Sequence, residues 1–141
     1  MPDRAGAASS VLLEIPPQSA YVAIVRLAFT SLGRAAGLDE EKLEDLKIAI
    51  SESCANAVLS TQEAGVDAPV TISFTADDDC LEVVVADSGA VHAPGSAETA
   101  DSQGFSTRHI MSMELLRSLV DEFEFSPRAG GGMQTRLMLR R

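Results

Sequence analysis

Two apolar runs held three acidic residues apart constrain this chain more than any other feature. PVTISFTA (69–76) alternates, with Val70, Ile72 and Phe74 on one face; DDD (77–79) makes a turn; CLEVVVAD (80–87) follows. Alternation marks a strand with one buried face, and Asp residues favour turns, so the pair reads as a β-hairpin. Its second strand is apolar on both faces at Val83-Val84-Val85, the pattern of a central strand. Such a strand needs further strands beside it and a layer to cover it.

The flanking sequence supplies both. VLLEI (11–15) reads as a short strand that PPQ breaks. Residues 19–36 read as a helix with Ser19 as N-cap. Tyr21, Val25, Ala28 and Leu32 form its apolar stripe, Ile24 and Leu27 widen it, Arg26 lies off it, and Gly37 ends it. A second helix starts at Asp39, with acidic residues at 40, 41, 44 and 45 suiting the helix dipole. It carries Leu43, Leu46, Ile50 and Ala57 along one side and runs to about Ser60. Residues 88–107 are rich in Gly, Ser, Ala, Thr and Pro without clear periodicity and read as a lid or a disordered segment. HIMSMELLRSLV gives a third helix over 109–120, DEFEF (121–125) a strand, SPRAGGG a loop and MQTRLMLR (133–140) a closing strand. The order β-α-α-β-β-lid-α-β-β is an α+β pattern. It predicts a two-layer α/β sandwich: a mixed, mostly antiparallel sheet with helices on one face. Residues 1–10 read as a flexible tail and 11–141 as one domain, with no internal repeat or linker.

The balance of 11 Lys and Arg against 21 Asp and Glu gives a net charge of −10. Nucleic acid phosphates repel such a surface, which argues against direct DNA or RNA binding; a basic protein partner is favoured, although solubility alone accounts for the charge. Cys54 and Cys80 lie in apolar runs without CxxC spacing and read as reduced, buried thiols. His92 and His109 are isolated and complete no zinc set with them. No signal-peptide core and no apolar run of membrane-spanning length is present, so the expectation is a soluble, cytoplasmic protein.

Two short stretches could carry chemistry. AISESCANAVLS (49–60) places Glu52 and Asn56 at i and i+4, on one helix face. An Asn carbonyl oxygen is a hard ligand suited to Mg²⁺, and a carboxylate nearby can take a proton from an attacking hydroxyl, two tasks that phosphoryl transfer needs side by side. The same spacing also occurs on solvated helix faces. VVVADSG places Asp87 at a strand end, two residues before Gly89. There a carboxylate can accept from an adenine amino group and a glycine allows close backbone approach, or the stretch is an ordinary turn.

Their order is more informative than either. A helix with ExxxN, a hairpin ending in DxG, a long small-residue loop, a helix and a terminal hairpin with glycines resemble the GHKL (Bergerat-fold) ATPases. Closest in appearance are the small anti-sigma factors with serine-kinase activity, of the RsbW and SpoIIAB type. The resemblance covers residues 11 to 140. YVAIVRLAFTSLGRAAGLDEEKLEDLKIAISESCANAV is its most specific part, and ELLRSLVDEFEF and TRLMLRR support it. It implies an anti-sigma factor that sequesters an alternative sigma factor in a partner-switching system of stress response or sporulation. It further implies phosphorylation, with ATP and Mg²⁺, of a serine on an anti-anti-sigma (STAS-type) antagonist, and a homodimer. By position, Glu52 would be the catalytic base, Asn56 the Mg²⁺ ligand, and Asp87, with Gly89 beside it, the adenine contact. Arg26 would contact the sigma factor and the antagonist.

Three departures accompany the resemblance. DSGAV puts Val91 where the family has a second glycine, and the GxG element before the third helix falls on Ile110-Met111-Ser112, leaving Gly104 upstream as a substitute. GGGMQT puts Met133 where the family has Thr, so that Gln134 or Thr135 would stand in. Glycines in these places let backbone N–H groups curl around a triphosphate. These departures leave open a binding module without kinase activity. An isolated sensor-kinase-type ATPase domain is a further alternative, against which the short chain without a dimerisation helix pair or phosphoacceptor His argues.

Overall fold

The computed structural model describes residues 9–89 and 101–141, the side chains of 9 and 101–108 apart. Its elements are β1 (Ser9–Ile15), α1 (Val22–Ala35), α2 (Glu40–Glu63), β2 (Val70–Ala76), β3 (Cys80–Ala86), α3 (Asp101–Leu119), β4 (Glu122–Pro127) and β5 (Met133–Arg140). The five strands form one sheet in the order β1-β2-β3-β5-β4, and β3 is its central strand, as its two apolar faces predict. The α+β class stands, but every strand pair is antiparallel rather than mixed. β5 enters between β3 and β4 and runs against both, pairing Cys80 with Arg140 on one side and Pro127 with Met133 on the other. Ser9 and Ser10, expected in the tail, pair with Ala76 and Thr75 as the start of β1.

The period-two pattern builds the core face of the sheet. Val70, Ile72, Phe74 and Ala76 of β2 are buried in alternation, as are Leu81, Val83 and Val85 of β3 and Met133, Thr135, Leu137 and Leu139 of β5. Register lines these into rows: Phe74, Val83, Leu137 and Phe123 form one, and Ile72, Val85, Thr135 and Phe125 the next. The opposite face is mixed: Leu12, Val84 and Met138 lie among polar residues, with Arg136 bonded to Glu82 and paired with Glu122.

Helices cover the first face. Asp39 caps α2 by accepting from the Lys42 amide at 2.8 Å, an arrangement that stabilises a helix by about 1 kcal/mol. Leu43, Leu46, Ile50 and Ala57 are buried as predicted. On α1 the buried stripe is Val22, Val25, Phe29 and Gly33, while Ile24 and Leu27 are 52% and 70% exposed. Phe29 decides the orientation. Its ring stacks edge-on against Phe74 with centroids 5.7 Å apart, which turns Ile24 and Leu27 away from the sheet. The third helix starts eight residues earlier than expected, at Asp101, so part of the expected lid is helical. The rest of that segment, residues 90–100 with Val91, lies outside the described residues, as does the tail at 1–8. No helix among the described residues is long and apolar enough to cross a membrane.

Candidate functional site

One face of α2 turns away from α1 toward α3 and the β4–β5 end of the sheet. Ser53, Asn56, Ala57 and Ser60 recur there at three- and four-residue steps and line a pocket. Asp87, Met133 and Thr135 form its sheet side; His109, Ser112, Met113 and Leu116 of α3 and the rings of Phe123 and Phe125 close it. The cavity left between them is about 20 Å³, room for a single water molecule.

Asp87 sits where β3 leaves the sheet and is 6% exposed. Its Oδ1 accepts from the amides of Gly89 at 2.8 Å and Met133 at 3.2 Å. Its backbone amide donates to the Met133 carbonyl at 2.9 Å, and its own carbonyl accepts from Arg128 Nη1 at 2.7 Å. The carboxylate is thereby fixed by two strands and a loop. Both neighbouring glycines are needed for this closeness. A Cβ on Gly89 would stand 2.1 Å from Ser60 Oγ, and one on Gly132, whose φ is +84°, would stand 2.0 Å from the Asp87 carbonyl oxygen. Thr135, 8% exposed, lies in register between Val85 and Phe125.

Across the pocket, Asn56 Nδ2 donates to Ser112 Oγ at 2.5 Å. His109 packs edge-on against Phe125 with ring centroids 4.6 Å apart. Ile110, Met111 and Ser112 lie inside α3, where backbone amides are committed to helical hydrogen bonds, so these three do not form a phosphate cradle. Gly104 also lies within α3, and its surroundings are outside the described residues.

Glu52 does not share the pocket with Asn56, although the two are four residues apart on α2. It lines a separate, open groove of about 520 Å³ with Arg26 of α1 and Lys47, Ile48 and Ser51 of α2. Arg26 Nη1 donates to Ser51 Oγ at 3.3 Å, and Ser51 donates to the Lys47 carbonyl at 2.8 Å. The predicted site residues thus fall into two groups: Asn56, Asp87, Gly89 and Thr135 around the pocket, Glu52 and Arg26 in the groove. Sequence reasoning missed Ser53 and the part that Ser112, His109 and Arg128 take around the pocket. Only the position of Ser53, three residues before Asn56, could have pointed to it.

Residues 15–139 match the family model of the histidine kinase-like ATPase domain. The chain belongs to that family and is of the RsbW type. It is 33% identical over 132 residues to serine-protein kinase RsbW of Bacillus pumilus strain SAFR-032, an alignment covering 84% of this chain and 78% of that protein. Its identity to serine-protein kinase RsbW of Bacillus subtilis strain 168 is 39% over 82 residues, covering 58% of this chain and 51% of that one. RsbW of Listeria monocytogenes is 35% identical over 79 residues, covering 56% and 50%. The antiparallel five-stranded sheet covered by helices agrees with the fold of this ATPase family.

The residue types around the pocket suit a nucleobase, although the cavity as it stands holds no more than one water: a buried carboxylate beside a glycine turn, apolar and aromatic walls, and a buried Ser53 hydroxyl without a partner among the described residues. The triphosphate part has no cradle in the described stretch of α3.

Proposed function

We propose that this chain is a cytoplasmic anti-sigma factor of a partner-switching system. It binds a sigma factor and, as a homodimer, phosphorylates a serine of an anti-anti-sigma, STAS-type antagonist. Asp87 and Thr135 would hold the base of ATP, Gly89 would allow its approach, and Asn56 would ligate the Mg²⁺ that offsets phosphate charge. The observation that carries this reading is the division of α2. Asn56 faces the pocket, while Glu52, one turn earlier, faces an open groove beside Arg26. A partner serine seated in that groove lies on the Glu52 side, and a nucleotide lies on the Asn56 side. Glu52 would take the proton of a partner serine as its oxygen bonds to the γ-phosphorus of ATP and the bond to ADP breaks, which requires groove and pocket to meet along the shared Glu52–Asn56 face of α2.

Calorimetric titration with Mg-ATP, paired with transfer of labelled γ-phosphate to an antagonist, tests it. Binding together with labelling of the antagonist serine is the expected result; absence of both overturns the kinase reading. A second reading, a sigma-binding module without kinase activity, is favoured by the engagement of Asn56 with Ser112 and by the helical backbone at Ile110–Ser112. It predicts tight sigma binding without nucleotide.

A further inference from the structure

Ser53 is 2% exposed, and its hydroxyl has no hydrogen-bond partner among the described residues. Leaving a buried hydroxyl unpaired costs about 1–3 kcal/mol, and such a group in a folded protein calls for an explanation. A helical serine or threonine has a local remedy, donation to the carbonyl four residues earlier. Two neighbours on α2 take it: Ser51 donates to Lys47 at 2.8 Å and Thr61 to Ala57 at 2.9 Å. Ser53 does not. It lines the same cavity as Asp87 and Thr135, with space there for one water.

We propose that Ser53 is a ligand-contacting, specificity-determining residue whose hydroxyl donates to the ring nitrogen beside the amino group of a bound adenine. The proposal rests on the nucleotide reading of this pocket. Its logic is complementarity. An adenine edge presents an amino donor next to a ring-nitrogen acceptor. Asp87, when ionised, only accepts and suits the amino group; the neighbouring nitrogen requires a donor, and a serine hydroxyl is one. Guanine reverses both polarities on that edge, so its carbonyl oxygen would face the Asp87 carboxylate, acceptor against acceptor, while the Ser53 hydroxyl can serve either nitrogen. An alanine at position 53 would serve the fold as well, because the hydroxyl makes no bond to the described protein.

The test uses the full chain and Ser53→Ala, titrated with ATP, GTP and 1-deaza-ATP, which lacks that ring nitrogen, with thermal unfolding in parallel. Ser53→Ala is expected to unfold at the same or a higher temperature and to bind ATP about 3- to 10-fold more weakly, the span of one hydrogen bond. The wild type should lose a similar factor on going from ATP to 1-deaza-ATP, and Ser53→Ala should show no such difference. Equal ATP affinity in the two proteins overturns the proposal and leaves the kinase reading standing. So does a fall in unfolding temperature without a change in affinity, which would mean that the hydroxyl holds a structural water only. A loss of affinity that is the same for ATP and 1-deaza-ATP overturns the ring-nitrogen contact. A wild type that binds none of the three overturns both this proposal and the nucleotide reading.

Discussion

Asn56 Nδ2 and Ser112 Oγ stand 2.5 Å apart, a hydrogen bond that ties the middle of α2 to the middle of α3 across the pocket. Ser112 is 5% exposed, so the bond is shielded from water on the α3 side. Pockets for small organic ligands enclose about 300–1,000 Å³. The 20 Å³ found here is far below that, so a nucleotide seated in this pocket would need the Asn56–Ser112 bond to open and α3 to yield.

Removing the latch should therefore help a ligand. Ser112→Ala deletes the hydroxyl while installing the best helix former, so any loosening of α3 cannot come from weaker helix propensity. One hydrogen bond contributes about 0.5–1.5 kcal/mol, so Ser112→Ala should tighten ATP binding by about 2- to 10-fold and speed amide exchange over residues 112–119. Ser118→Ala is the control, because the exposed Ser118 donates only to the Leu115 carbonyl of its own helix. Unchanged ATP affinity and exchange in Ser112→Ala would rule the latch out.

How much of this was legible in the sequence follows from what each signal depends on. Strands and helices were readable because alternation at Val70, Ile72 and Phe74 and helical spacing at Leu43, Leu46 and Ile50 are local patterns. The α1 stripe of Tyr21, Val25, Ala28 and Leu32 does pack on the core, but its widening to Ile24 and Leu27 was misjudged, because these are as apolar as Val22 and Val25 and only the packing of Phe29 on Phe74 selects between them. Glu52 and Asn56 were readable as one helix face, but their separation into groove and pocket depends on where α1 and α3 lie against α2. Ser53 was not legible, since an unpaired hydroxyl is a property of three-dimensional surroundings and a serine in a helix is unremarkable by itself.

The two glycine positions at the β4–β5 loop should respond differently to alanine. Gly130 has φ +93° with nothing within 4 Å of an added Cβ, so Gly130→Ala meets only backbone strain, about 1–2 kcal/mol. Gly132 adds a steric conflict to its φ of +84°, with the Asp87 carbonyl oxygen 2.0 Å from the added carbon. Gly132→Ala must push the loop from Asp87 and break the bonds from Met133 and Arg128. Urea unfolding should show the larger loss for Gly132→Ala, by about 1–3 kcal/mol. Equal losses would mean that the loop does not press on Asp87.

Arg26 lines the groove and Asn56 the pocket, so their alanine variants should separate two activities. Arg26→Ala removes a guanidinium from an open groove and should weaken sigma binding about 10-fold or more, as loss of an anchoring arginine does at an interface. Asn56→Ala should leave sigma binding within about 2-fold and abolish phosphate transfer to the antagonist. Pull-down affinities and labelled-phosphate transfer read the two effects. Equal losses of sigma binding would place the partner surface elsewhere.

Cys54 should make stability fall at alkaline pH. It is fully buried, and burial pushes its thiol up to about 12 from an ordinary 9.0. The folded state holds the proton more tightly than the unfolded state, so the contribution is complete below about pH 9 and is lost progressively as pH rises toward 12. Urea unfolding from pH 7 to 10.5 should show a steeper alkaline decline for the wild type than for Cys54→Ala, with the two curves parallel below pH 8.5. Cys80 also has a raised pKa, from partial burial and the carboxylates of Asp77, Asp79 and Glu82. It nevertheless lies at the start of β3 within reach of solvent, so native-state alkylation should label Cys80 slowly and Cys54 only after unfolding. Rapid labelling of Cys54 in the folded protein would contradict its enclosure between α2 and the sheet.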